Sequence, residues 1–427
     1  MFFITKLFRN KFFRASYLAW FSLALFFFYQ YILRVTPGIL IEELRGAFRI
    51  NAQEFATFGS FYLVAYAVLQ IPLGIIVDRI GVRAMSLYSI IVCLLGSLLF
   101  GFTDEFRLAQ LARIIIGIGS ASAFMCALKY IADHFPPGKR GFLMGATLSL
   151  GMAGALLTGN TVGYLDKLVD WHEILMVTTL IGVVVFALIF FTVKPAQKDR
   201  YAVLEHKSFK DIMLSIKDIF LSKEIMLFAI LAVGLYTPLA ALTDLWGPAF
   251  IRQKFQLTKN NAASLTMMMY LGLTFGSFIL PWISEKFNRL NEAIVLCGFG
   301  ILFIFSVIIY LPPVGEQTLS MMLVLLGFFC GAEMMCFTGA LTHSKKMNSG
   351  EIIGVVNTLN MLGGAVVQQM IGWGLDFQWN GLEDSQGLRH YTTQQFEFSL
   401  SILTVLVLCC CIASFRLLKT RLDWKQK

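Results

Sequence analysis

The sequence predicts an all-α membrane protein, with twelve transmembrane helices in two six-helix halves. Three observations carry that prediction. Hydrophobic residues make up 57% of the 427 and charged residues 14%, with a mean hydropathy of +0.71. A water-soluble domain carries roughly 25% charge, so a soluble fold is excluded. Apolar runs of about 20 residues recur along the chain, the length a helix needs to cross a ~30 Å hydrocarbon core with its backbone polar groups satisfied internally. The long internal polar stretch, residues 194–223, divides those runs six and six.

Taken in order, the first six runs cover roughly 15–37, 55–77, 84–103, 108–132, 142–164 and 172–193. The second six cover roughly 225–250, 262–284, 292–312, 318–341, 352–374 and 396–417. The halves are therefore 1–193 and 224–427, joined by a cytoplasmic linker over 194–223. The first fourteen residues resemble the basic leading segment of a signal peptide. The apolar run behind them is too long and lacks a small-x-small cleavage site, so it stays as the first span. Of the 35 Lys and Arg, 24 fall in the two termini and the loops on their side, 8 fall in the opposite loops, and Arg34, Arg113 and Lys129 lie within spans. Basic residues concentrate on the cytoplasmic side, which places both termini inside. The net charge of +9 is thus a topological signal. Its spread over many loops argues against nucleic acid as a partner. All eight cysteines fall inside spans without metal-ligand spacing, so neither disulfides nor zinc are expected.

The link between the second and third runs, 74–83, holds Gly74, Asp78, Arg79, Gly81 and Arg83. The glycines allow a tight turn and close helix approach; Asp78 can pair with an arginine or cap a helix N-terminus. This G-x-x-x-D-R-x-G-x-R run, set between two spans, closely resembles the signature loop of the major facilitator superfamily of transporters. A shift of 207 residues lays Asp78-Arg79 onto Glu285-Lys286, where Pro281 and Asn288 replace the glycines. That echo supports two parallel repeats. Arg113, Gly117 and Gly119 fit the superfamily's fourth-helix R-x-x-x-G-x-G pattern, and the stretch from Lys129 through Asp133 to Arg140 fits that helix's inner end. The fifth run has Gly145, Gly151, Gly154 and Gly159 but lacks the Gly-Pro pair typical of drug antiporters. Within the superfamily, the stretches 28–38 and 61–74 resemble the phagosomal (Pht-type) transporters of intracellular bacteria, which take up amino acids and in some members nucleosides. The resemblance implies alternating access, with Gly74, Asp78, Arg79, Gly81, Arg83 and Arg113 in gating roles. The 74–83 loop would latch the outward-open state from the cytoplasmic side.

A charge inside a span costs several kcal/mol against lipid, so it faces a cavity or a partner. Gln30 and Arg34 project from one side of the first helix. Arg34 either grips a substrate carboxylate or phosphate through its planar fork, or snorkels to the interface. Tyr62, Tyr66 and Gln70 form one stripe on the second helix, lining a path or bonding to neighbours. Asn357 and Asn360 share a face of the eleventh, suited to amino and carboxyl groups or to interhelical bonds. Asp244, near a break made by Pro238 and the Gly247-Pro248 pair, and Glu333, near the middle of the tenth span, are the proton-coupling candidates. Their alternative is a fixed pair with Arg34, Arg113 or Lys129. Four small-xxx-small pairs, Gly159/Gly163, Gly272/Gly276, Gly327/Gly331 and Gly350/Gly354, read as helix packing.

No enzyme motif appears, whether a Walker loop, G-x-S-x-G or H-E-x-x-H, and no cofactor is expected. The expected protein is a monomeric, proton-coupled importer of a small polar molecule, an amino acid or short peptide. Nucleoside, organic-anion or siderophore import, and drug or metabolite export, remain as alternatives.

Overall fold

The computed structural model describes residues 2–165, 168–195, 209–342, 349–384 and 387–418. Part of the linker, residues 196–208, lies outside the described residues, as do the Gly74 and Asp78 side-chain positions. Among the described residues, twelve helices are long and apolar enough to cross a membrane. In the first half they are Ala15–Ile39, Ala52–Leu73, Arg79–Phe102, Phe106–His134, Gly138–Val162 and Trp171–Thr192. In the second half they are Lys223–Phe255, Lys259–Phe287, Leu290–Tyr310, Glu316–Thr342, Gly350–Phe377 and Thr393–Leu418. Among the described residues the only non-helical pairing is an antiparallel bridge between Glu383 and Arg389, in the loop before the last span.

Local chemistry fixes where several spans begin. Asn51 accepts from the Glu54 N–H while Glu54 reaches back to the Asn51 N–H, a capping box that starts the second span. Thr258 accepts from the Asn261 N–H to start the eighth, and Asp170 accepts from the His172 N–H to start the sixth. The 74–83 link is tighter than the sequence implies. Helical geometry runs from Ala52 to Phe102, interrupted at Gly81 (φ 83°, ψ 158°), a backbone region open essentially to glycine alone.

The repeat survives in the backbone where side chains have diverged. Asn288, 207 residues after Gly81, also has a positive φ (54°) and ends the eighth span. Asparagine is among the few L residues that enter this region readily. The fourth span breaks at Ala121-Ser122 and the tenth at Gly331-Ala332, the same place in each half. Spans of opposite halves meet in several places. Gln53 donates to Gln369 and Asn357 to Gln70 between the second and eleventh spans. Gly145 lies against Phe278, and Gly159 against Met267, between the fifth and eighth.

Four of the glycines in the small-xxx-small pairs lock the eighth and tenth spans together. A Cβ on Gly272 would lie 1.9 Å from the Val324 carbonyl oxygen, and one on Gly327 would lie 1.9 Å from that of Met269. A Cβ on Gly331 would lie 2.4 Å from the Gly276 carbonyl carbon. Backbones this near exclude even a methyl group. Gly327→Ala should therefore lower the stability of the purified protein by about 2 kcal/mol, the usual cost of overpacking. Gly315→Ala, at a helix start with open space around it, should leave the melting temperature unchanged.

Candidate functional site

The seventh span carries a π-helical turn, Leu242–Trp246, in which the Gly247 N–H reaches five residues back to the Leu242 carbonyl. Residue 248 is proline, so the Asp244 carbonyl has no α-helical donor. The wider turn adapts to that loss. Across from it Gly38 brings the first span into backbone contact: a Cβ there would lie 2.7 Å from the Asp244 carbonyl oxygen.

This contact sets Arg34 against Asp244. Arg34 Nη2 lies 2.6 Å from Asp244 Oδ2, and the two side chains are 5% and 4% exposed. Arg34 also donates to the Tyr236 hydroxyl, which in turn faces the Met361 sulfur at 3.6 Å. Tyr270 donates to Asp244 Oδ1 at 2.8 Å. The guanidinium stands over the Tyr31 and Tyr236 rings at 5.6 and 5.8 Å. A buried pair of this kind persists when further hydrogen bonds offset desolvation, and here three tyrosines supply hydroxyls or ring faces. Snorkelling of Arg34 is excluded by its burial.

Glu333 lies in the first turn of the tenth span's second segment, directly after the Gly331-Ala332 break, and is buried. A helix N-terminus favours negative charge. Asn360 donates to Glu333 Oε1 at 2.5 Å, whereas Asn357 turns to Gln70. Arg34 and Glu333 are thus not each other's partners, and the two asparagines serve different neighbours. Gln30 donates to the Tyr62 hydroxyl at 2.5 Å, and the Tyr66 ring packs beside that of Tyr62. Arg113 donates to the Leu33 carbonyl at 2.9 Å under the Tyr62 ring, a placement wholly inside the first half.

Several buried polar atoms around this cluster have no protein partner among the described residues. Arg34 Nε and Arg113 Nε are donors in the first half; Gln30 Oε1 and, from the second half, Asn360 Oδ1 are acceptors. Unmade hydrogen bonds of buried groups are costly, and native structures hold few. These four belong to spans that meet inside the bundle, two carrying donors and two carrying acceptors.

The two halves are also bridged at the end opposite the 74–83 link. Glu42 pairs with Arg252, and Glu43 with Lys259 at 2.5 Å. Arg45 stacks on the Tyr391 ring at 4.9 Å and donates to the Arg389 carbonyl. Asp376 accepts from the Gln53 N–H, Arg389 and Tyr391. Burial holds the Arg45 guanidinium below its ordinary pKa; burial first, then the bond to Asp376, raises the Tyr391 hydroxyl. A cavity of about 790 Å³ opens there above Trp246, lined by Glu42, Arg45, Arg252 and Arg389.

The sequence model of the Major Facilitator Superfamily matches residues 6–367. The chain belongs to the major facilitator superfamily. This facilitator is 23% identical to a D-galactonate transporter of Escherichia coli over 80% of its own length and 85% of that protein's. It is 25% identical to a lysosomal dipeptide transporter of Mus musculus over 57% and 56% of the two chains. Its fold is similar to the inward-facing, occupied structure of a bacterial homologue of the human lysosomal transporter Spinster, with a TM-score of 0.74 at 14% identity over 95% and 98% of the chains. The chain is accordingly a transporter of the multi-pass class and not an enzyme.

Sequence reasoning singled out both members of the buried pair but missed Tyr236, Tyr270 and Tyr31. Tyr236 precedes Asp244 by two helical turns, so its shared face was available as a signal; Tyr270 comes from another span and left none. In this facilitator, Arg34→Ala or Asp244→Ala should each destabilise the purified protein by about 3–5 kcal/mol, since each strands a buried charge. The double variant should recover much of that loss in thermal melts. Strictly additive losses would contradict the coupling.

Proposed function

We propose that this facilitator imports a small zwitterion, an amino acid or short peptide, by alternating access and together with protons. The observation that carries the reading is the pairing of opposite chemistries among buried side chains of the two halves. Free donors on Arg34 and Arg113 suit a carboxylate, while Glu333 and the free Asn360 oxygen suit an ammonium group. The likeness of the first two spans to the phagosomal amino acid transporters, and the lysosomal dipeptide transporter among its relatives, favour the same cargo. The protein works as a monomer in a bacterial inner membrane, with both termini in the cytoplasm and the halves 1–193 and 224–427, joined by the 194–223 linker, rocking about a central site.

Glu333 is the proton carrier in this reading, with Asp244 answering to cargo through its hold on Arg34. Gln30, Tyr62, Tyr66 and Asn357 line the path beside them. The 74–83 link acts as the latch of the outward-open state. In this structure Arg83 donates to the Val193 carbonyl and stands over Phe190, within its own half. Arg79 is exposed, and the far end is bridged instead. That combination fits a latch let go while the far end is shut.

A second reading, import of an organic anion, draws on the two buried guanidinium groups and on the D-galactonate transporter. Tracer uptake into vesicles separates the two. On the zwitterion reading, Glu333→Gln abolishes the response to an imposed pH gradient and lowers uptake at least tenfold; full uptake by that variant favours the anion. Indifference of the unaltered protein to the gradient removes the proton coupling. Asp78→Ala and Arg83→Ala should each abolish uptake at normal membrane abundance, and normal uptake by both would remove the latch.

A further inference from the structure

We infer a binding site for one anionic phospholipid in the groove between the third and sixth spans, at the end of the bundle that holds the 74–83 link. The groove encloses about 570 Å³. Its walls are apolar: Leu87, Tyr88 and Ile91 on one side, Phe186 and Phe190 on the other. Its mouth holds Arg79 and Arg83, and no acidic side chain lines it among the described residues.

Three features select a lipid and give it a charge. The walls face outward, with Tyr88 65%, Phe190 45% and Ile91 39% exposed. In a membrane-spanning bundle that surface meets hydrocarbon. From Arg83 to Ile91 a helix rises about 12 Å, which spans most of one leaflet of a ~30 Å core. An acyl chain laid against the walls would therefore set its phosphate at the arginines. The two cations are also held differently. Arg83 is anchored, with Nη1 on the Val193 carbonyl at 2.7 Å and its guanidinium over the Phe190 ring. Arg79 is exposed and makes no hydrogen bond, ion pair or ring contact among the described residues. One fixed and one free guanidinium beside an apolar slot match a phosphodiester followed by its chains. Basic pockets between spans recognise anionic headgroups in this manner, and the planar fork suits phosphate oxygens. A zwitterionic headgroup such as phosphocholine would bring a further cation up to two guanidinium groups, and an anionic one brings none.

The site lies on the link that turns at Gly81, so an occupant bears on the segment that must move between states. Its existence does not depend on which cargo the transporter carries.

Native mass spectrometry of the purified protein tests the inference, with dioleoyl phosphatidylglycerol and dioleoyl phosphatidylcholine titrated in parallel. The expected result is one retained phosphatidylglycerol, at about tenfold lower concentration than phosphatidylcholine requires. Arg79→Gln combined with Arg83→Gln should erase that preference, while Arg289→Gln, an arginine at the same end of the other half, should preserve it. Millimolar inorganic phosphate should not displace the lipid. Equal retention of both lipids by the unaltered protein overturns the site whatever the variants do. Displacement by phosphate alone, or loss of the preference in Arg289→Gln, overturns it as well.

Discussion

A charge enclosed by a membrane protein has to find its counter-charge inside the protein, and here the match is made across the two halves. Arg34 belongs to the first span and Asp244 to the seventh, and they meet at 2.6 Å with both side chains buried. Neither half can hold its member of the pair alone without stranding an ion at a cost of several kcal/mol. Any motion that parts the first and seventh spans must supply another partner to each. In the proposed cycle a cargo that carries a carboxylate takes the place of Asp244 on Arg34. The structural requirement and the proposed transport cycle are thus one electrostatic condition.

Backbone irregularity places these groups. Pro248 removes a donor, the seventh span widens into a π turn at Asp244, and Gly38 lets the first span approach its exposed carbonyl. The tenth span breaks at Gly331-Ala332, where Gly331 touches Gly276, and Glu333 follows at once in the new first turn. Each candidate carboxylate therefore stands at a fault in its helix and not in a regular stretch. Such faults are where spans can change their path without unpacking a whole face. The first half breaks its fourth span at the matching place but follows the break with Ala123. The repeat supplies the fault to both halves, and the acid appears in one.

Much of this was legible in the sequence because hydrocarbon is a strict solvent. Twelve apolar runs had to be twelve helices, and an arginine or aspartate inside one had to be buried or paired. The break near Asp244 could be anticipated from Pro238, Gly247 and Pro248, since proline withholds a donor wherever it sits. The partners could not be read so far. Whether Asp244 or Glu333 would meet Arg34 depends on the depth and rotation of separate spans, which periodicity within one helix leaves open. Tyr270, the bridges from Glu42 and Glu43, and the Asp376–Arg389–Tyr391 cluster were missed for the same reason. The link was read as a polar turn of ten residues, yet nearly all of it is helical and the reversal falls on Gly81. A single permissive residue did the work assigned to a loop.

The central claim is that the buried cluster recognises two opposite charges on one small molecule. Its most direct test is thermal unfolding of the purified protein with amino acids and dipeptides, set against the matching amines that lack the carboxylate and the matching acids that lack the amine. The account predicts that a molecule bearing both charges raises the melting temperature, with about 2.7 kcal/mol of added stability at a hundredfold excess over its Kd. The single-charge analogues should leave it unchanged. Equal stabilisation by the acids alone, or by the amines alone, would contradict it.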